Sequence, residues 1–276
     1  MKSLIAALPL AWLLTAGAAA PPPPQQQPAD MALWRLDCGS VVVSDLNAFS
    51  DTYAYTGRTK TLTDSCYLIR HGGQYLLWDT GFPAELAGRS ERDGPFTASM
   101  NATLPTQLAR IGVRPEQVTY VGISHRHDDH TGQLPLFPKA SLLIGAGDFE
   151  TLKERKSDRI APWLGAGGRV ERVTGDRDVF GDGSVVMLDM PGHTEAHHSL
   201  LLRLPKTGPV LLSGDLYHFT ENRTSGGVPG FNTSRSQTTA SMARFEAIAR
   251  NLHARVIIQH EPADVAKLPA FPEAAR

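Results

Sequence analysis

The chain has 276 residues, 41% hydrophobic and 20% charged, the balance of a globular protein long enough to bury a proper core in one or two domains. Its 27 basic and 28 acidic side chains leave a formal net charge of -1, so nothing in the overall charge draws nucleic acid or an anionic lipid surface. The balance does not favour a polyanionic partner.

Residues 1–20 read as a secretory signal peptide: Lys2 supplies a positive start, residues 4–14 are almost wholly apolar, and Ala18-Ala19-Ala20 offers small residues for cleavage. The apolar run falls short of the roughly 20 residues that span a bilayer. Cleavage and release to the periplasm or the exterior are therefore expected, without stable membrane insertion. Residues 21–30 form a Pro/Gln-rich leader that reads as extended and solvated. The folded domain is expected over residues 31–276.

Short runs rich in β-branched and aromatic residues, bounded by Gly, Pro or Asp, mark the strands. In chain order they are residues 41–43, 66–70 and 74–78, the last two joined at His71-Gly72-Gly73 as a hairpin, then 118–124, 141–144, 184–190, 199–204, 209–213 and 255–259. Helical period appears twice: at Leu104, Leu108 and Ile111, stopped by Gly112, and as the stripe Met242, Phe245, Ala249, Leu252. Blocks of strands with helices between them predict sheets covered by helices on their outer faces. Residues 46–61, 82–103 and 219–238 carry no clear period. They are Gly/Ser/Thr/Asn-rich with scattered aromatics such as Phe49, Phe96 and Phe231, as functional loops are. Cys38 and Cys66 each lie in a probable strand; in an oxidising compartment they form either a disulfide or two buried thiols. Neither has CxxC spacing, so metal chemistry falls to His and Asp.

Ser124-His125-Arg126-His127-Asp128-Asp129-His130-Thr131-Gly132 places three imidazoles and two carboxylates in six residues directly after an apolar strand. In extended backbone His125 and His127 emerge on one side and can grip one ion. Asp129 and His130, where the chain turns, reach a second. Three more polar residues follow strand ends: His193 after Pro191-Gly192, Asp215 after Ser213-Gly214, and His260 after Gln259. Imidazole nitrogen with carboxylate oxygen is a zinc-type donor set, and ligands carried by rigid strands are what a preorganised site requires.

His125-X-His127-X-Asp129-His130, Gly192-His193, Gly214-Asp215 and His260 together resemble the metallo-β-lactamase superfamily, over residues 36–262 or so. The resemblance implies an α/β fold, the αβ/βα sandwich of two mixed β-sheets flanked by helices. It also implies two Zn2+ per chain, other divalent metals being compatible. His125, His127 and His193 would hold one ion, Asp129, His130 and His260 the other, and Asp215 would bridge both. Trp78-Asp79-Thr80-Gly81 resembles the superfamily's early Asp-X-Gly turn, whose Asp supports a ligand from behind. Asp215 argues against the antibiotic-hydrolysing branch, which lacks a carboxylate there, and His127 with Asp129 argues against the flavo-diiron branch, which uses a Glu.

The successive spacings of 63, 22 and 45 residues from His130 through His193 and Asp215 to His260 look like those of the N-acyl homoserine lactonases. That resemblance implies ring opening of a small lactone by a metal-bridging hydroxide, with Asp129 and Asp215 as the working carboxylates and Asp215 as proton carrier. Such enzymes place a tyrosine three residues after the bridging Asp to touch the substrate carbonyl. Here His218 stands at that offset and Tyr217 one residue before it, so the contact is left between them. His71, His197, His198 and His253 receive no role; adjacent residues on a strand face opposite ways, so at most one of His197 and His198 can point at the metals. Another small ester, a thioester or a phosphotriester is the alternative substrate on the same site. A mono-iron sulfur dioxygenase and a non-catalytic metal-binding protein are alternatives of other classes, separable by metal analysis. Nothing in the pattern specifies an oligomeric state.

Overall fold

The computed structural model describes residues 30–276. The expected signal peptide and nearly all of the leader lie outside the described residues. Among the described residues thirteen strands form two mixed sheets. In the first, β4 (Arg89–Asp93), β5 (Phe96–Met100), β1 (Met31–Val43), β2 (Lys60–His71), β3 (Gln74–Trp78), β6 (Tyr120–Ile123), β7 (Ser141–Gly145) and β8 (Val170–Val173) lie side by side in that order. The second runs β13 (Arg255–Ile257), β12 (Gly208–Leu212), β11 (His198–Leu204), β10 (Val185–Asp189) and β9 (Arg177–Asp178). Antiparallel pairing dominates, and the pairs β3/β6, β6/β7, β7/β8 and β12/β13 are parallel.

Both faces of the central strands are buried, which is why they read as continuous apolar runs. Along β2, Cys66 and Leu68 face outward into a core with α1 (Leu104–Arg110) and α3 (Ala146–Glu154), while Tyr67 and Ile69 face the second sheet. On β12, Val210 and Leu212 meet the first sheet and Leu211 meets α5 (Arg235–Leu252). The layers are thus helix, sheet, sheet, helix, the αβ/βα sandwich. Fully burying one such Leu or Ile contributes about 1.5–3 kcal/mol, so three stacked cores hold the sheets rigidly. Among the described residues no helix is long and apolar enough to cross a membrane.

The structure departs from the sequence expectation in the loops. Residues 82–103 hold the β4–β5 hairpin, whose first strand, Arg-Ser-Glu-Arg-Asp, is exposed throughout; an edge strand with charge on both faces shows no alternation. Residues 219–238 contain α4 (Thr220–Ser225) and the start of α5, capped by Ser234. The strand expected over residues 255–259 ends at Ile257, because the chain turns there to deliver His260. The cysteine question is settled: Cys38 and Cys66 are bridged, with Cα atoms 5.8 Å apart. His253 closes α5 in the left-handed conformation, and His71 stacks on Phe180 and pairs with Asp182.

Candidate metal centre

The parallel strand β6 delivers His125 just past its end, and His127 then caps α2 (Asp128–Thr131), whose single turn carries Asp129 and His130. His193 follows β10 through the Pro191-Gly192 turn, Asp215 follows β12, and His260 follows β13. All seven expected residues come together, in two groups: His125, His127, His193 and Asp215; and Asp129, His130 and His260.

In the first group His125 Nε2 lies 2.9 Å from His127 Nδ1, and His193 Nε2 lies 3.1 Å and 3.0 Å from those two atoms. Asp215 Oδ2 faces this cluster, 3.7 Å from His125 Nε2 and 3.5 Å from His193 Nε2. Its Oδ1 faces the second group, 2.9 Å from His260 Nε2 and 3.2 Å from His130 Nε2. One carboxylate thus presents one oxygen to each group.

Outer hydrogen bonds orient three of the rings. His130 Nδ1 donates to Asp79 Oδ2 at 2.9 Å, His193 Nδ1 to Asn232 Oδ1 at 2.9 Å, and His260 Nδ1 to the Thr63 carbonyl at 2.8 Å. A neutral imidazole that donates outward turns its other lone pair inward. Burial holds His125 and His193 well below the ordinary imidazole range, and His127 below it. Their ring nitrogens converge at 2.9 to 3.1 Å, an arrangement suited to a cation held between them. His130 Nε2 is buried with no hydrogen-bond partner, a further inward-facing donor atom. The set fits divalent ions of the zinc type.

Burial also opposes charge in the second group. There the carboxylates of Asp215, Asp129 and Asp79 nevertheless carry His130 well above its usual range, and Asp215 raises His260 to about 9. Burial would raise Asp215 as well, yet His260, His130, His218 and His125 hold it well below the normal carboxylate range. The field of the second group favours positive charge.

Asp79 is fully buried and accepts from the Ser124 backbone N–H at 2.7 Å and Gln259 Nε2 at 2.8 Å as well as from His130. It supports a ligand from behind, as the resemblance implied. His197, given no role by the sequence, is placed by the structure behind Asp215. Burial lowers its pKa to about 4, and the neutral ring accepts the Asp215 backbone N–H at 2.9 Å while donating to the Met190 carbonyl. A Cβ on Gly214 would collide with that ring. His198 points away, toward the Ala196 and Gly175 carbonyls, so the alternation argument selected one histidine of the pair without saying which. Asn232 was missed because it lies in an aperiodic loop.

Tyr217 and His218 are separated by the extended backbone at residue 217, which throws successive side chains to opposite sides. Tyr217 packs on Phe245 and donates to Glu246 at 3.2 Å, so it is not brought to the site. His218 is, with Nε2 3.1 Å from Asp215 Oδ2 and its ring 4.6 Å from that of Phe49. Above the two groups opens a cleft of about 720 Å³ with Asp129, Asp215, His218 and His260 among its lining residues. Phe49, Leu62, Phe82, Leu86, Phe96 and Phe231 make it largely apolar, and the β4–β5 hairpin forms one wall.

Comparison with known proteins agrees with this geometry. Residues 61–260 match the model of the metallo-beta-lactamase superfamily. The N-acyl homoserine lactonase AttM of Azorhizobium caulinodans is 30% identical over 221 residues, covering 71% of this chain and 81% of that protein. An N-acyl homoserine lactonase from Bacillus sp is 29% identical over 220 residues, covering 75% and 85%. A structure of a B. thuringiensis AiiA variant with N-decanoyl-L-homoserine bound at its active site shares the fold, with a TM-score of 0.76, 22% identity and coverage of 88% of this chain and 98% of that one. From the match over residues 61–260, the relatives and the two converging His/Asp groups, this chain belongs to the metallo-beta-lactamase superfamily and is one of its metal-dependent hydrolases.

Proposed function

We propose that the protein is a two-metal lactonase that opens the ring of N-acyl homoserine lactones. The observation that carries this reading is Asp215, which turns one oxygen to each ligand group at the floor of an apolar cleft. The names of the relatives support it. His125, His127 and His193 would hold one ion and Asp129, His130 and His260 the other, with Asp215 shared. Two such ions, zinc by the donor set, would supply Lewis-acid polarisation of an ester carbonyl and would lower the pKa of water toward about 7, giving a nucleophile at neutral pH.

The chain's own groups supply the rest. Phe49, Phe82, Leu86 and Phe96 offer an apolar bed to an acyl tail. His218 lines the cleft floor beside Asp215, and we assign to it the contact with the oxygen on which negative charge develops. Both Asp215 oxygens are already faced by imidazoles, whereas the Asp129 side chain is 27% exposed and lines the cleft. We therefore assign to the Asp129 carboxylate, rather than to Asp215, the relay of the proton released by the attacking water to the departing ring oxygen. The Cys38–Cys66 disulfide supports a further part of the proposal, that the enzyme works outside the cytoplasm.

Mass spectrometry of a long-chain N-acyl homoserine lactone before and after treatment tests the reading. The product should gain one water with its amide intact, and acidification should close the ring again. Free fatty acid with homoserine lactone as products, or consumption of a phosphotriester or thioester in place of the lactone, refutes it. A single iron per active chain by elemental analysis would replace it with the dioxygenase alternative.

A further inference from the structure

Behind the first ligand group lies a buried polar junction that the reaction as described does not use. Asp148, in the first turn of α3, is fully buried. Its Oδ1 accepts from Arg126 Nη1 at 2.9 Å and its Oδ2 from Thr194 Oγ1 at 2.7 Å. Arg126 stands between His125 and His127, and Thr194 follows His193 directly. The same Arg126 Nη1 reaches Glu195 Oε2 at 2.7 Å, but that carboxylate is half in solvent.

The two arms joined here come from different sheets. His125 and His127 leave β6 of the eight-stranded sheet, and His193 follows β10 of the five-stranded one. The backbone ties them beside the ligands, where the His198 N–H donates to the Ser124 carbonyl at 2.8 Å, and their ring nitrogens meet at 2.9 to 3.1 Å. His127 has no outer hydrogen bond to aim its ring, so the course of residues 125–127 matters more for it than for its partners. Asp148 holds that course through Arg126 and the His193 arm through Thr194.

A different buried carboxylate, Asp79, holds His130 of the second group and the Ser124 backbone N–H ahead of His125. We infer that Asp148 is a positioning residue for the first group alone: bonded to Arg126 and Thr194, it sets the spacing of the His125–His127 and His193 arms. It thereby sets the affinity of that group for a divalent ion separately from the second. The inference rests on the two-metal reading of the site. Loss of a partner that orients ligands typically weakens metal binding about 10- to 100-fold.

The test is a titration of metal-stripped full-length protein with Zn2+ against a competing chelator, with the thermal midpoint followed in parallel. Asp148→Asn leaves buried Arg126 only the half-exposed carboxylate of Glu195 as a charged partner and endangers folding, so Thr194→Val, which removes one hydroxyl, carries the test. Thr194→Val should weaken one of two ions about 10- to 100-fold and leave the other unchanged, while Glu195→Gln moves neither because its exposed pair is worth little. In a His260→Ala background, where only the first group is intact, the loss should fall on the ion that remains. Unchanged binding of both ions in Thr194→Val, or equal weakening of both in step with a lowered midpoint, overturns the inference. No substrate enters the measurement, so a failed lactone assay leaves its result standing; fewer than two ions on the unaltered protein refutes the metal centre and this inference together.

Discussion

Replacing His218 by alanine and, separately, Tyr217 by phenylalanine tests the carbonyl contact, because the two residues are adjacent in sequence and opposite in space. His218 lines the cleft with Nε2 3.1 Å from Asp215 Oδ2. If its ring stabilises the developing oxyanion, removing it costs about 10²- to 10³-fold in kcat, equivalent to about 2.7–4 kcal/mol. Tyr217→Phe removes only the 3.2 Å bond to Glu246, which keeps Arg223 through contacts of 2.8 and 3.0 Å. That deletion costs about 0.5–1.5 kcal/mol of stability, or a few degrees of midpoint, with kcat changed by less than about 3-fold. Steady-state kinetics on an N-acyl homoserine lactone, with metal content checked for each variant, measures both. A Tyr217→Phe loss as large as that of His218→Ala, or an unchanged kcat in His218→Ala with full metal, refutes the assignment.

Removing the Cys38–Cys66 bridge opens a loop of sequence separation 28; the chain-entropy estimate is about 3.6 kcal/mol, so Cys38→Ala/Cys66→Ala should melt roughly 7–14 °C lower by calorimetry, and an unmoved midpoint would show the bridge to be idle. Gly132→Ala should destabilise the protein and release metal, since a Cβ there overlaps the Phe82–Pro83 peptide and the Gly81 carbonyl just after α2; a variant with wild-type metal content and midpoint contradicts this. For export, we propose a mature chain starting at or soon after Pro21, after the Ala18-Ala19-Ala20 site; intact-mass analysis of protein from its native host that finds Met1 or Lys2 retained defeats the cleavage.

The residues of the two His/Asp groups were legible in the sequence because ligand chemistry is restrictive. Imidazoles and carboxylates packed into residues 125–130, or placed singly after apolar runs, make a donor set that suits a cation and little else. The central strands of the two sheets were legible for a related reason: β2, β3, β11 and β12 are buried on both faces, so their apolar character is continuous. The β4–β5 hairpin was not, since an exposed charged edge bears no periodic imprint of a core.

By itself, then, the sequence determined the donor set, the sandwich of sheets and the strand ends at which the ligands stand, all of which depend on residue type and local period. Only the tertiary structure decided that Cys38 meets Cys66, that His218 and not Tyr217 reaches the cleft, that His197 holds the Asp215 backbone, and that Asp148 joins two arms from different sheets. Each of these is a contact between segments 18 or more residues apart or a choice of side set by one extended residue. Such relations are made by the packing of the two sheets, and single polar residues carry no local mark of the partner they will find.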